Sequence, residues 1–221
     1  MMVWIVVPAF NEEGKIGRVI RGLFEHSYKN VLVVDDGSSD QTAMQAREAG
    51  ALVIRHLINR GQGAALQTGN DWAIKNGAEL IVHFDGDGQF NPKDIAHGLE
   101  KIQAENLDVL LGSRFLDTRS KIPFFKKYFI LPISRFVNNL ITGLKLTDVH
   151  NGFRILNLAA AKEIRITQDG MAHNSEIPKL IKKLNLRYSE YPVEVSYNEH
   201  GQGIGGGFKI LRDLFIDYIS K

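Results

Sequence analysis

Five short apolar runs, at residues 3–7, 31–34, 52–54, 80–84 and 109–111, alternate with longer segments of helical spacing. This alternation constrains the fold more than any other feature of the chain. A run that is apolar at consecutive positions buries both of its faces, as strands of a parallel sheet do. Parallel neighbours need a crossover connection, which a helix supplies. Residues 12–25 place Ile16, Val19, Ile20 and Leu23 on one helical face. Ser39 is a candidate cap for a helix running to residue 50, and Gly61-Gln62-Gly63 opens one running to residue 76. Asn91-Pro92 supplies a cap and a first helical position for a helix running to residue 104. The pattern predicts an α/β fold: a doubly wound, mostly parallel sheet with helices on both faces. In such sheets ligands bind beyond the carboxyl ends of the strands. Polar motifs stand there, after Val7, Val34 and Phe84.

The rest of the chain is less regular. Gly152-Phe153-Arg154-Ile155-Leu156 follows, a helix is expected near 176–184, and 188–197 alternate. Residues 201–207 are glycine-dense, and 208–220 read as an amphipathic helix. The 221 residues show no repeat and no linker, so one domain is expected. The absence of cysteine excludes disulfides, thiolate nucleophiles and Cys-based zinc sites. A net charge of +2 gives no reason to expect nucleic acid as a partner. The start of the chain runs from a short apolar stretch into Pro8 and has no cationic lead, so no signal peptide is expected. No uninterrupted apolar stretch reaches the ~18 residues of a membrane span.

The chemistry-bearing motif is Phe84-Asp85-Gly86-Asp87-Gly88-Gln89. On a regular strand two carboxylates at i and i+2 share a face with no glycine's help; here Gly86 and Gly88 release the backbone at the strand end. Asp85, Asp87 and Gln89 can then converge on one point. Hard oxygen ligands of that kind suit Mg²⁺ or Mn²⁺, with the remaining positions left to water and phosphates. The alternative is a tight turn with solvated acids. An EF-hand is excluded, because Phe90 and Ala96 stand where its loop needs Gly and Glu. Two other motifs are discarded. Gly201, Gly203 and Gly206 match a dinucleotide fingerprint but are followed by no second strand and by no acid ~20 residues on. Asp35-Asp36 resembles half of a P-loop site, and the chain has no Gly-x-x-x-x-Gly-Lys-Ser/Thr to complete it.

Taken in order, these motifs resemble family 2 glycosyltransferases. The residues are Pro8-Ala9-Phe10-Asn11-Glu12-Glu13, Val34-Asp35-Asp36-Gly37-Ser38-Ser39-Asp40, Asn59-Arg60-Gly61-Gln62-Gly63 and Asp85-Gly86-Asp87-Gly88-Gln89. Gly112-Ser113-Arg114 and Asp148-x-x-Asn151-Gly152-Phe153-Arg154 resemble the polyprenyl-phosphate hexose synthase branch, which includes the dolichyl-phosphate mannose synthases. The resemblance implies a GT-A fold, with residues 1–114 as the nucleotide-sugar half and 115–221 as the acceptor half. It implies that Pro8, Phe10, Glu12, Val34 and Asp36 line the base and ribose pocket. It gives Asp85, Asp87 and Gln89 the metal and donor diphosphate, and sets Arg114 near the phosphates. Arg154 and Asp148 fall where the family has its acceptor loop. A helix cap for Asp36, a surface arginine for Arg114 and a structural salt bridge for Asp148 and Arg154 are the alternatives. One departure stands out: residues 198–209 lack the branch's arginine, and Lys209 is the nearby cation.

The reaction implied is inverting transfer of a hexose from a GDP- or UDP-sugar to a polyprenyl phosphate, with Mg²⁺ or Mn²⁺. A phosphate acceptor needs no base, whereas a hydroxyl acceptor does. Glu176 is the candidate base, and its alternative is first-turn charge on a helix. His83 reads as structural. Residues 122–146 are basic, acid-free and twice amphipathic, as an in-plane membrane helix pair would be. The expected location is therefore the cytoplasmic face of a membrane, with or without a separate membrane-anchor partner. A hydroxyl-directed transferase and a nucleotide-sugar-binding module without turnover are the competing readings. A sugar-1-phosphate nucleotidyltransferase would need a phosphate loop after the first strand, which is missing.

Overall fold

The structure, a computed structural model, describes residues 1–119, 139 and 142–196. Residues 122–146, expected at a membrane surface, lie almost wholly outside the described residues, as do 197–221 with Lys209. The elements in chain order are β1 (Val3–Ala9), α1 (Ile16–Glu25), β2 (Val31–Asp35), α2 (Thr42–Glu48), β3 (Leu52–Arg55), α3 (Gln62–Lys75) and β4 (Leu80–His83). Then come α4 (Lys93–Ala104), β5 (Val109–Ser113), β6 (Arg154–Asn157), α5 (Leu158–Glu163), α6 (His173–Lys183) and β7 (Tyr188–Pro192).

One seven-stranded sheet has the order β3-β2-β1-β4-β6-β5-β7. All pairs are parallel except those of β6, which runs antiparallel to both β4 and β5. Alternate residues of each strand serve two cores. Ile5, Val7, Val33, Val82, Leu110 and Ile155 pack with α1 and α4 through Ile16, Ile20, Leu23, Ile95 and Ile102. Trp4, Val6, Leu32, Val34, Ile81 and Leu156 pack on the other face with Ala65 and Leu66 of α3, Ala160 of α5 and Ile177 of α6. Side chains that alternate at period two, both sets apolar, are what a parallel strand covered on two sides requires.

Among the described residues the expected strands and helices are present, with shifted ends; the helix expected over residues 208–220 lies outside them. The first helix begins at Ile16, not residue 12, because Glu12 starts a turn in which its carbonyl accepts from Lys15 N and Ile16 N. Gly14 in that turn has φ 78°, left-handed backbone that an α-helix does not contain. Ser39 does not cap α2. Asp40 does so, its Oδ1 accepting from Thr42 N at 3.0 Å. Asn91 does cap α4, its Oδ1 accepting from Lys93 N at 3.1 Å. Helix α5 was not expected; Asn157 caps it by accepting from Ala160 N at 2.8 Å.

Gly69 of α3 lies against β1. A Cβ there would overlap Val6 Cγ1, itself fully buried. Gly69→Ala is therefore expected to destabilise the fold by ~1–3 kcal/mol through overpacking, read as a lowered midpoint in urea unfolding. An unchanged midpoint would mean that α3 is free to move away from the sheet.

Candidate functional site

The site lies at the carboxyl end of β4. Phe84 is buried, and the chain then turns through Asp85 and Asp87, both half-buried. Gly88 has φ 79°, and Asp87 Oδ1 accepts from Gln89 N at 2.9 Å, which closes the turn. Asp85 is gripped from two sides. Gln62, the first residue of α3, donates from Nε2 to Asp85 Oδ1 at 2.9 Å. Gly152 lies against the same carboxylate so closely that a Cβ would overlap it. Burial and the charge of Asp87 push the Asp85 carboxyl up to about 7, against the pull of Arg154, Arg114 and Gln62. Burial likewise raises Asp87.

Those two shifts bear on whether a cation fits. Two carboxylates that are costly to ionise together are relieved by a divalent ion as they would be by a proton. Asp85 and Asp87 with the amide oxygen of Gln89 are a hard, oxygen-only donor set of the type that Mg²⁺ and Mn²⁺ take. Among the described residues no group of three or more His, Cys, Asp or Glu side chains could hold a metal, so such an ion would depend on substrate and solvent for its other ligands. A cavity of about 220 Å³ opens beside Asp87, lined among others by Lys15, Arg18, Phe84 and Phe90.

The loops after β1 and β2 are tied to each other. Asn11 N donates to Ser38 Oγ at 3.0 Å, and Ser39 N donates to Asn11 Oδ1 at 3.0 Å. Phe10 stands exposed on this rim and Glu12 is half-buried, its Oε2 2.8 Å from Lys15 Nζ. Pro8 and Val34 are buried, so they can shape a pocket only from behind. Asp36 is also buried, and its carboxylate is engaged by the chain. Oδ1 contacts His56 Nδ1 at 2.7 Å and accepts from Arg60 N at 3.0 Å; Oδ2 accepts from Gly61 N at 2.6 Å. Asp36 thus anchors the turn that delivers Gln62 to Asp85.

On the other side, Arg114 follows β5 and pairs with Asp148. Its Nε donates to Oδ2 at 2.6 Å and its Nη2 to Oδ1 at 2.7 Å. Glu190 of β7 braces this loop by accepting from Thr147 N at 2.8 Å. The salt bridge foreseen for Asp148 is therefore made with Arg114. Arg154 is 2% exposed; its Nη2 donates to Asn174 Oδ1 at 2.6 Å. Burial draws its guanidinium down to about 10, against the charges of Asp85 and Asp148. A residue expected on the acceptor loop is instead beneath the site. His83 is buried against Asn70, at 2.8 Å from its Oδ1, and burial with the Arg154 charge holds it well below the usual imidazole range.

Glu176 lies in the first turn of α6, and its carboxylate faces the chain before the helix. It accepts from Thr167 N at 3.0 and 3.1 Å, from Gln168 N at 3.0 Å and from Thr167 Oγ1. The carbonyls of Gln168 and Asp169 in turn press on Gly61 and Gly63, where a Cβ would overlap them. Gln62, Asn174 and His173 did not stand out in the sequence. Gln62 alone carried a signal, its place between two glycines ahead of a helix.

The family profile of glycosyl transferase family 2 matches residues 4–165, and the chain belongs to that family. An uncharacterized protein of Methanocaldococcus jannaschii is 37% identical over 98% of this chain and 92% of its own length. A UDP-N-acetylglucosamine–dolichyl-phosphate N-acetylglucosaminyltransferase of Methanococcus voltae is 30% identical, covering 100% of this chain and 97% of its own. Among solved structures, glucosyl-3-phosphoglycerate synthase of Mycobacterium tuberculosis with Mn²⁺, UDP and its product superposes with a TM-score of 0.74. That alignment covers 99% of this chain and 79% of the other at 14% identity, a likeness of fold.

Removing the Glu176 carboxylate should release residues 167–168. Losing hydrogen bonds to a charged acceptor costs ~1.5–3 kcal/mol, so Glu176→Ala is expected to speed amide exchange at Thr167 and Gln168 by about tenfold or more. Unchanged protection would show that these bonds do not hold the segment.

Proposed function

We propose that this glycosyltransferase moves a hexose-type sugar, with inversion, from a nucleotide-diphosphate donor to a polyprenyl, dolichyl-type phosphate. The observation that carries the acceptor class is the state of Glu176. The best candidate base of the sequence is occupied by Thr167 and Gln168. A sugar hydroxyl would need such a base, whereas a phosphate near neutral pH is already an anionic nucleophile. The Methanococcus voltae relative, by its name a dolichyl-phosphate transferase, supports the same class.

Asp85, Asp87 and Gln89 would hold Mg²⁺ or Mn²⁺, which when bound neutralises charge on the departing diphosphate. The chain's own residues do the rest. Gln62 orients the Asp85 carboxylate, and Gly152 permits its close seat. Asp36 fixes the turn at residues 60–61 and so shapes the base and ribose end. Phe10, exposed on the rim, offers a face to the base, and Arg114 lies towards the phosphates. The sugar develops positive charge as the diphosphate leaves, and the acceptor oxygen closes from the opposite face.

The test is incubation of the pure protein with GDP- and UDP-sugars, divalent metal and either a polyprenyl phosphate or simple sugars. Product is expected on the phosphate. Asp87→Ala should lower kcat by about 10²–10³-fold or more without loss of fold, and Glu176→Gln should keep most of the activity. Full turnover in Asp87→Ala, or in excess chelator, defeats the metal assignment. Product on a hydroxyl, lost in Glu176→Gln, moves the protein to the other acceptor class.

The acceptor implies a membrane surface. Among the described residues no helix is long and apolar enough to cross a membrane. We place the protein on the cytoplasmic face through residues 122–146, from their basic and apolar pattern. Each basic residue near anionic lipid adds ~1 kcal/mol. Changing Lys126, Lys127 and Arg135 together to Glu should abolish co-sedimentation with phosphatidylserine-containing vesicles; equal binding refutes the docking.

A further inference from the structure

Four buried polar atoms behind Asp85 have no hydrogen-bond partner among the described residues: Asn70 Nδ2, His83 Nδ1, Arg154 Nη1 and His173 Nε2. Their residues are 1%, 1%, 2% and 0% exposed, respectively. They are also neighbours. The register of β4 with β6 sets His83 opposite Arg154. His83 Nε2 is 2.8 Å from Asn70 Oδ1, and Arg154 Nη2 is bound to Asn174, the residue after His173. Both imidazoles feel the Arg154 charge. The fifth atom of this kind, Asp35 Oδ2, differs because Arg55 Nε lies 3.0 Å from it.

A buried polar atom without a partner costs ~1–3 kcal/mol. Four together would consume much of the ~5–15 kcal/mol that holds a domain folded. Their chemistry selects what serves them. Arg154 Nη1 can only donate. His173 Nδ1 faces the Gly170 carbonyl at 2.7 Å, so it carries the proton and leaves Nε2 as an acceptor. The His83–Asn70 pair leaves one donor and one acceptor open whichever way the amide is turned. The set is two donors and two acceptors. An anion would face imidazole lone pairs and a cation would face a guanidinium. Water donates two hydrogen bonds and accepts two.

We propose that Asn70, His83, Arg154 and His173 enclose an internal water site, and that Arg154, held by it, is a positioning residue acting on the donor site through Asp85. The link to Asp85 is short. Gly152, two residues before Arg154, seats the Asp85 carboxylate, and the guanidinium lies behind it as a fixed counter-charge. The positioning role rests on the metal reading above; the water site does not.

Two measurements test this. A crystal structure at a resolution that shows solvent is expected to contain an ordered water bonded to Arg154 Nη1 and to an imidazole nitrogen. A dry chamber overturns the proposal. The second is Mn²⁺ binding in the presence of UDP, followed by electron paramagnetic resonance. His173→Gln keeps an acceptor and should bind Mn²⁺ as the wild type does. His173→Leu fills the chamber with carbon and should bind it about tenfold more weakly while keeping its circular dichroism. Asn70→Leu, similar in size and without polar atoms, is the second variant with the same expectation. Equal loss of Tm in all three with unchanged Mn²⁺ affinity would reduce Arg154 to a structural residue and overturn the positioning role. Wild-type protein that binds no Mn²⁺ defeats the metal reading and the positioning role together, and diffraction still decides the water site.

Discussion

The register that sets Arg154 opposite His83 underlies the rest of the site. β6 enters between β4 and β5 against their direction, and its residues alternate between the two faces of the sheet. Phe153 and Ile155 face the core under α1 and α4, and Leu156 faces the core under α3, α5 and α6. Arg154 shares the second face, where Asn174 and His83 are polar enough to receive a guanidinium. A slip of one residue would turn Arg154 into the face lined by Ile95 and Leu110, with no partner for its charge. The same slip would withdraw Gly152 from Asp85.

The turn that carries Asp85, Asp87 and Gln89 is therefore held by elements distant from it in the chain. Gln62 reaches Asp85 only because Asp36 fixes the preceding turn. That turn is packed in place because two glycines let the carbonyls of residues 168–169 approach its backbone. Glu176 holds those carbonyls through Thr167 and Gln168. The chain from α6 through α3 to β4 links the half-buried Glu176 carboxylate to Asp85 without a covalent tie. Loops at the carboxyl end of a parallel sheet are free to carry such contacts, since the strands beneath already satisfy one another.

Charge placement also separates the two sides of the site. Asp85 and Asp87 are raised by burial, and Arg154 and Arg114 stand close enough to oppose that rise at Asp85. Arg114 is half-buried and bound to Asp148, whereas Arg154 is fully buried. On the reading proposed above, the two arginines divide the work: Arg114, paired with Asp148, would frame the phosphate side, and Arg154, bound to Asn174, would support the carboxylate from behind.

Much of this was legible in the residues alone. Consecutive apolar runs at β1, β2, β4 and β5, with amphipathic segments between them, determine a parallel α/β sheet, because periodicity is a local property of the chain. The glycines of the Asp85–Gln89 turn likewise mark where backbone geometry must change. The direction of β6 could not be read, since a four-residue strand carries no sign of which neighbours it will pair with. Nor could the burial of Arg154, whose environment comes from Asn70, His83 and Asn174. Glu176 reads equally as a base or as a helix-end charge until Thr167 is seen against it. Sequence determined which residues could do chemistry and at which end of the sheet. Tertiary structure decided which of their charges reach the site, because solvent exposure and hydrogen-bond partners are set by segments far away along the chain.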